Sequence, residues 1–306
     1  MNAIELLHIR KTYNKGEIIA VDDVSFNVSE GEMFGLIGPD GAGKTSLFRI
    51  LTTLLLADSG TASVIGHDVV KDFKLIRREV GYMPGRFSLY QDLTVEENLE
   101  FFATVFNTTI KENYNLIRDI YVQIEPFKDR RAGKLSGGMK QKLALCCALI
   151  HRPKVLFLDE PTTGVDAVSR KEFWEMLQRL KKEGITILVS TPYMDEATQC
   201  ERIALMQSGK IMSVDTPQNV VAQFPDPLYA VRASGMSHLL RELRQDPMIK
   251  SCFAFGDYHH VTFQPGGTEE KLKAELVNKS YTDAQVKPVK PTIEDCFIQL
   301  MHHEQE

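Results

Sequence analysis

Short apolar runs alternate with longer amphipathic segments over roughly the first 220 residues. The runs cover residues 33–37, 155–158 and 185–189, and none of them has a polar face. Such runs are typical of strands that are covered by helices on both faces of a sheet. The segment 168–183 instead spaces its apolar residues as an amphipathic helix does. The alternation predicts an α/β layered fold around a mostly parallel sheet.

The glycine-free stretch 89–127 has a helical pattern. Together with the helix expected after it, we interpret it as a helical subdomain, about residues 89–150, inserted into a first domain of residues 1–220. Pro217, Pro225 and Pro227 mark a boundary after this domain, because clustered prolines interrupt regular structure.

Residues 221–306 are predicted to form a smaller accessory α+β domain. Strands are expected at 228–233, 249–255, 259–263 and 284–289, and helices at 236–245 and 269–278. Gly256-Asp257 suits the turn between the two middle strands. The order strand-helix-strand-strand-helix-strand predicts a ferredoxin-like domain. A last helix is expected after Pro291, with Thr292 as its N-cap.

Composition and charge exclude several classes of protein. Hydrophobic residues make up 43% and charged residues 25%, which excludes a disordered chain. The net charge of −5 gives no general attraction for nucleic acid, so no nucleic-acid partner is expected. Five cysteines without zinc-site spacing favour reduced thiols in the cytosol. Neither a secretory signal nor an apolar run of about 18 residues is present, so a membrane role would require a membrane partner.

One segment between a strand and a helix has the pattern of a phosphate-binding loop, G-x-x-x-x-G-K-[ST]. Its residues are Gly38, Pro39, Asp40, Gly41, Ala42, Gly43, Lys44 and Thr45, and Ser46 follows. The glycines let successive N–H groups point into one concavity, and the helix N-terminus adds its positive end. We expect Lys44 to bind the β- and γ-phosphates and Thr45 to ligate Mg²⁺.

Two carboxylates follow the second apolar run directly. Asp159 and Glu160 should therefore lie at the carboxyl edge of the sheet, where ligands bind in open α/β folds. Asp159 is a candidate ligand of Mg²⁺, and Glu160 is a candidate base for an attacking water.

A third element, Ser136-Gly137-Gly138, precedes a helix and offers N–H groups and a hydroxyl to an anion. Taken alone, this turn is better explained as a helix cap.

With all three elements in this order, residues 4–216 resemble the ATPase subunit of an ABC transporter. In this resemblance residues 135–139 match the ABC signature, with Met139 in place of the usual glutamine, and Gly164-Val165-Asp166 match the D-loop. Residues 291–297 are similar to the tail of the drug-resistance and ABC-2 type export ATPases.

The resemblance implies an enzyme that binds ATP with Mg²⁺ and hydrolyses it. Tyr13 stands where the family stacks an aromatic ring on adenine. The family pairs two cassettes head to tail, so that each ATP lies between the Lys44 loop of one cassette and the signature of the other. It also implies separate integral membrane permease subunits, which hold the cassette at the cytoplasmic face of the inner or plasma membrane.

Two positions depart from the family pattern. Gly85 stands where the family has the Q-loop glutamine, and Pro192 stands where it has the switch histidine. Losing one preorganised polar group typically costs about 10²–10³ in rate. We therefore predict a site that binds ATP and cleaves it slowly, with Arg86 and Thr191 as the candidates for compensation. Glu160 is retained, so an inactive site does not follow.

Several interpretations stay open at this point. The slow site favours pairing with an unlike, complete cassette, and a homodimer with compensating residues is the alternative. A second class is a nucleotide-gated regulatory ABC subunit with little turnover. A third is a soluble ABC protein that acts on ribosomes or nucleic acid, which the single cassette and the lack of a basic linker disfavour.

Overall fold

The computed structural model describes residues 1–303, with the following secondary structure. The strands are β1 (Asn2–Tyr13), β2 (Ile18–Ser29), β3 (Met33–Ile37), β4 (Ser59–Val64), β5 (His67–Asp68), β6 (Val80–Met83), β7 (Val155–Asp159), β8 (Thr186–Thr191), β9 (Arg202–Gln207), β10 (Lys210–Asp215), β11 (Leu228–Arg232), β12 (Ile249–Phe255), β13 (Tyr258–Phe263) and β14 (Gln285–Val289). The α-helices are α1 (Lys44–Leu51), α2 (Phe73–Glu79), α3 (Val95–Val105), α4 (Ile110–Tyr121), α5 (Gly137–Leu149), α6 (Ala167–Lys182), α7 (Pro217–Ala222), α8 (Met236–Gln245), α9 (Glu269–Asn278) and α10 (Ile293–His303). None of the helices within these residues has both the length and the apolar character that crossing a bilayer requires.

The chain divides into two units, Met1–Pro217 and Gln218–His303. The division falls three residues before the predicted boundary between residues 220 and 221. Helix α7 accounts for the shift, because the carbonyl of Val220 accepts a hydrogen bond from the thiol of Cys296 in the second unit. Residues 304–306 of the predicted second domain lie outside the described residues.

A six-stranded sheet is the centre of the first unit, with the order β10-β9-β3-β8-β7-β6. Its pairings are parallel except that of β9 with β10. Every residue of β3, β7 and β8 is buried. The three apolar runs of the sequence are thus central strands, and the predicted parallel sheet is confirmed.

An antiparallel sheet of order β2-β1-β4-β5, which the sequence interpretation missed, packs on the same core. Strand β1 alternates buried Ile4 and Leu6 with exposed positions until register shifts interrupt the alternation near Ile9. Phe26 of β2 stacks on Phe34 of β3 with 5.2 Å between the ring centroids. This alternation was a usable signal of a half-buried strand.

The helical subdomain contains α3, α4 and the start of α5, but its first helix begins at Val95 and not at residue 89. Thr94 caps α3 in a capping box with Glu97. The preceding segment is irregular and is held by the buried Asn98, whose amide exchanges hydrogen bonds of 3.0 Å with the backbone of Tyr90. The cap therefore fixes where this helix starts, which the helical pattern alone did not locate.

The second unit has the predicted element order. Its sheet has the order β12-β13-β11-β14 and is antiparallel throughout. Apolar residues of α8 and α9 form one core with Val231 and Val261 of the sheet. Gly256 has a φ of +56° in the two-residue turn between β12 and β13, as the sequence predicted.

A buried hydrogen bond connects the last helix to this sheet. Asp295 of α10 lies 2.7 Å from His260 of β13, and both side chains are at least nine-tenths buried. Asp295 also accepts hydrogen bonds from the N–H and the hydroxyl of Thr292. Burial tends to raise the pKa of Asp295, but the hydrogen bonds from His260 and Thr292 outweigh burial and lower it below 3.8.

We predict that Asp295→Asn destabilises the second unit by about 1–3 kcal/mol at neutral pH, because it weakens hydrogen bonds of a buried group. A lowered folded pKa means that ionised Asp295 stabilises the fold fully above the unfolded value and less as the pH falls through the folded value. The difference from wild type should therefore shrink in acid. Urea unfolding, with hydrogen exchange in residues 285–303, measures it. Asp257→Asn, at an exposed turn, is the control, and equal effects of both would contradict the prediction.

Candidate functional site

The predicted phosphate loop connects β3 to α1, and its backbone packs tightly against neighbouring chain. A Cβ atom on Gly38 would lie 2.1 Å from the carbonyl oxygen of Met206, and one on Gly43 would lie 2.1 Å from that of Ala20. Gly43 also has a φ of +108°. Neither position accommodates a side chain, so the glycines are required for the loop conformation.

Lys44 starts α1 and is almost completely buried. Its Nζ donates to the carbonyl oxygens of Gly38 at 2.7 Å and Pro39 at 2.9 Å, and it lies 3.1 Å from Glu160 Oε1. The loop therefore holds a cation next to the predicted base.

Three side chains from three elements meet beside the loop. Asp159 Oδ1 accepts hydrogen bonds from the hydroxyls of Thr45 at 3.2 Å and Ser190 at 2.7 Å. Burial, and secondly the charge of Asp159, raises the pKa of Tyr82 to about 12. A carboxylate and a hydroxyl oxygen are ligands that Mg²⁺ prefers, so Asp159 and Thr45 fit a magnesium ion at this loop.

Glu160 leaves the end of β7 in a left-handed conformation, with a φ of +51°. Its N–H donates to both the carbonyl and the hydroxyl of Ser190, at 3.1 and 3.0 Å. The strand thus ends at Asp159, and the turn directs the Glu160 carboxylate toward Lys44.

The remaining predicted ligands of the loop lie around the same concavity. The hydroxyl of Tyr13, at the end of β1, is 3.1 Å from that of Ser46. Asp40 and Gly41 are exposed on the loop, and Ala42 is buried beneath it. The structure therefore brings the aromatic ring, the loop and both carboxylates together.

The Ser136–Gly138 turn is not among the described residues that contact the phosphate loop. Ser136 caps α5 by accepting a hydrogen bond from the N–H of Met139 at 3.3 Å. Gly138 packs against Ser169, near the start of α6, where an added Cβ would lie 2.9 Å from the hydroxyl. Within residues 1–303 this turn makes no hydrogen bond to the phosphate loop of its own chain. Ser136 and Gly137 are exposed.

Asp166, the last residue of the matched D-loop, caps α6. Its carboxylate accepts hydrogen bonds from the N–H groups of Val168 and Ser169. The hydrogen bond from the Ser169 backbone is the largest of the effects that lower the pKa of Asp166.

The two positions that depart from the family pattern have different surroundings. A Cβ on Gly85 would be 3.0 Å from the carbonyl oxygen of Asp159 and 3.7 Å from Cβ of Glu160, so this glycine borders the site without a side chain. Arg86 is exposed and has no ion pair within the described part of the chain. Thr191 precedes Pro192, and its hydroxyl donates to Glu196 at 2.5 Å. The Thr191 hydroxyl, which was expected to compensate for the missing histidine, thus already donates to Glu196.

Sequence reasoning missed Ser190 and Glu196. Ser190 and Thr191 are polar residues that end an apolar strand beside the loop, and that pattern was visible. Glu196 gave no such signal, because its contacts depend on the folding of the chain after β8.

We predict that Gly43→Ala weakens ATP binding about a hundredfold or more. The new methyl group would displace the loop, and two lost hydrogen bonds to a charged phosphate suffice for that change. Gly184→Ala is the matched control, since Gly184 has a similar φ of +88° but open space around it. It should keep wild-type affinity and lose only about 1–2 kcal/mol of stability. Calorimetric titration with ATP tests both, and wild-type affinity in Gly43→Ala would contradict the prediction.

Residues 21–163 match the sequence profile of the family described as ABC transporter. Over 287 residues the chain is 37% identical to the probable multidrug ABC transporter ATP-binding protein YbhF of Escherichia coli strain K12, covering 92% of this chain and 49% of that protein. It is 31% identical over 308 residues to the Nod factor export ATP-binding protein I of Rhizobium sp. strain N33, covering 99% of this chain and 98% of the relative. The chain thus spans about half the length of the first relative and nearly all of the second.

The fold is also similar to that of a solved cassette. A dimeric structure of a post-hydrolysis state of the ATP-binding cassette MJ0796, bound to ADP and Pi, has a TM-score of 0.63 and 26% identity. The alignment covers 70% of this chain and 98% of the cassette. The chain therefore belongs to the ABC transporter family, as one of its ATP-binding cassette proteins.

Proposed function

We propose that this chain binds ATP with Mg²⁺ and hydrolyses it to ADP and phosphate, as the ATP-binding subunit of an ABC exporter. One observation carries this proposal. Lys44 and Thr45 of the loop contact Glu160 and Asp159 at 3.1 and 3.2 Å, so the phosphate-binding and hydrolytic groups already form one site. The relatives named for multidrug transport and Nod factor export support export as the direction of transport.

The residues of the chain have separate tasks in this reaction. The N–H groups of the loop and the Lys44 ammonium bind the phosphates, and Tyr13 stacks on adenine. Asp159 and Thr45 hold Mg²⁺, which neutralises charge on the phosphates when bound. Glu160 takes the proton of the attacking water as the new bond to the γ-phosphorus forms, and ADP leaves.

A second cassette completes the site in this proposal. The exposed Ser136–Gly138 turn does not contact the loop of its own chain, and the N-terminus of α5 suits an anion. We propose head-to-tail pairing with an unlike cassette, and separate membrane permease subunits that hold both cassettes at the cytoplasmic face of the membrane. The dimeric form of the solved MJ0796 cassette supports the pairing.

The site built on Lys44 and Glu160 is proposed to be slow. Gly85 borders the Asp159 carbonyl with no side chain, and Pro192 has neither an imidazole nor an N–H. These two features also favour a second candidate, a nucleotide-gated regulatory subunit with little turnover. The retained contact between Glu160 and Lys44 favours hydrolysis.

We predict slow hydrolysis of ATP by the purified chain, dependent on Mg²⁺. Lys44→Ala should reduce ATP binding, because it removes the ammonium that faces the phosphates. Glu160→Gln should keep binding and lower turnover to background, because an amide accepts no proton from water. Phosphate release and ATP titration measure these effects. Lys182→Ala and Glu183→Gln, both exposed on or just after α6, are the controls.

The outcomes separate the two candidates. Turnover that Glu160→Gln abolishes supports the enzyme. Tight binding with a turnover that Glu160→Gln leaves unchanged, also in the complex with a partner cassette, would exclude hydrolysis at this site and favour the regulatory subunit.

We further predict that Gly85→Gln combined with Pro192→His raises turnover about 10²-fold or more, because it returns two polar groups to the site. The glutamine needs only a shift of a few tenths of an ångström, since its Cβ would lie 3.0 Å from the Asp159 carbonyl. Arg86→Gln, which puts the same side chain one residue later, should give no increase. Equal turnover in the double variant and wild type would contradict the proposed cause of the slow site.

A further inference from the structure

Glu196 is a buried carboxylate between the chain segments that follow β7 and β8, with only 3% of its surface exposed. Its Oε2 accepts two hydrogen bonds, from the hydroxyl of Thr191 at 2.5 Å and from that of Thr162 at 3.0 Å. Both threonines are also buried. One oxygen atom thus connects the end of β8 with the turn after β7.

Thr191, at the end of β8, is hydrogen-bonded directly to the phosphate loop. The carbonyl of Thr191 accepts a hydrogen bond from the N–H of Gly38 at 3.2 Å. The Thr191 hydroxyl also accepts one from the N–H of Tyr193 at 3.1 Å, so the chain on both sides of Pro192 is tied to Glu196. This matters because Pro192 itself has no N–H to donate.

Thr162, the other threonine, lies in the same turn as the proposed base Glu160. Thr162 is two residues after Glu160, in a turn closed by the hydrogen bond from the N–H of Thr163 to the carbonyl of Glu160 at 3.2 Å. Fixing the Thr162 hydroxyl therefore limits the movement of the Glu160 turn relative to the phosphate loop.

A cationic side chain lies near the Glu196 carboxylate. Arg170 of α6 has its Nε 3.8 Å from Glu196 Oε1, beyond hydrogen-bond distance, and its guanidinium lies over the ring of Tyr193 at 4.6 Å. Oε1 has no hydrogen-bond partner among residues 1–303. The short, directional contacts of this carboxylate are thus the hydrogen bonds that Oε2 accepts from the two threonine hydroxyls. Both hydroxyls require an acceptor oxygen at the position of Oε2.

We propose that Glu196 is a positioning residue for ATP hydrolysis, which holds the Glu160 turn and the end of β8 in register with the phosphate loop. The inference rests on the proposed function and deepens it. In this proposal the buried Glu196 carboxylate holds the end of β8, next to Pro192, which stands where the family has a histidine. Misplacing a catalytic group by about 1 Å costs up to about 10² in rate, so loss of the anchor should mainly affect turnover.

The test compares variants that remove or keep the acceptor. Glu196→Ala removes it and should lower kcat about ten- to a hundredfold, with KM and the Kd for MgATP within twofold of wild type. Glu196→Gln keeps an amide oxygen where Oε2 lies and should restore kcat to within about threefold. A merely structural loss would instead change binding and stability together.

Thr162→Val gives an independent measurement, because it removes one donor and leaves the carboxylate in place. We expect kcat to fall about three- to tenfold with unchanged KM. Glu175→Ala is the matched control. Glu175 and Glu196 line one surface cleft, but Glu175 is exposed and has no ion pair among residues 1–303. It should turn over as wild type does.

Each outcome decides the matter. Wild-type kcat in Glu196→Ala and in Thr162→Val, or an effect confined to KM, would overturn the inference while the proposed function stands. If Glu196→Ala does not fold, Thr162→Val decides alone, with the same criterion. A wild-type turnover that does not exceed that of Lys44→Ala, also in the complex with a partner cassette, would instead overturn the proposed function, and this inference with it.

Discussion

Main-chain hydrogen bonds between β3, β8 and β7 bring three strand ends to one edge of the parallel sheet. Ile37 pairs with Thr191, and Asp159 pairs with Ser190. The residues that follow, Gly38 and Glu160, therefore leave the sheet on either side of the end of β8. Because parallel neighbours end together, the loop, Asp159 and Glu160 meet without any long side chain spanning the site. All later contacts depend on this register.

The charge of Lys44 is already balanced within the chain. Its ammonium donates to the carbonyl oxygens of Gly38 and Pro39 and lies 3.1 Å from Glu160 Oε1. A phosphate oxygen that binds Lys44 competes with these contacts. If it replaces Glu160, nucleotide binding also frees the carboxylate to accept a hydrogen bond from water. Binding and activation of the base would then be one exchange of partners.

The parts of the site that consist of consecutive residues could be predicted from the sequence. Gly38 to Thr45, Asp159 and Glu160 are identified by residue type and spacing, and the central strands by their short apolar runs. Other features depend on contacts between distant segments. Register shifts obscure the alternation in β1, and the start of α3 is set by the Thr94 cap. Glu196 is separated from Thr162 by 34 residues, so no local pattern links them. Propensity and period describe neighbours along the chain and miss such pairs.

The two departures from the family pattern leave the packing around the site undisturbed. At Gly85 the backbone fits closely against the Asp159 carbonyl, and Asp159 keeps its hydrogen bonds from Thr45 and Ser190. Before Pro192, the hydroxyl of Thr191 both donates and accepts. A buried polar group that has lost its partner costs about 1–3 kcal/mol, and neither Asp159 nor Thr191 is left in that state. The fold therefore does not require the missing glutamine and histidine, and their effect should fall on the rate of hydrolysis alone.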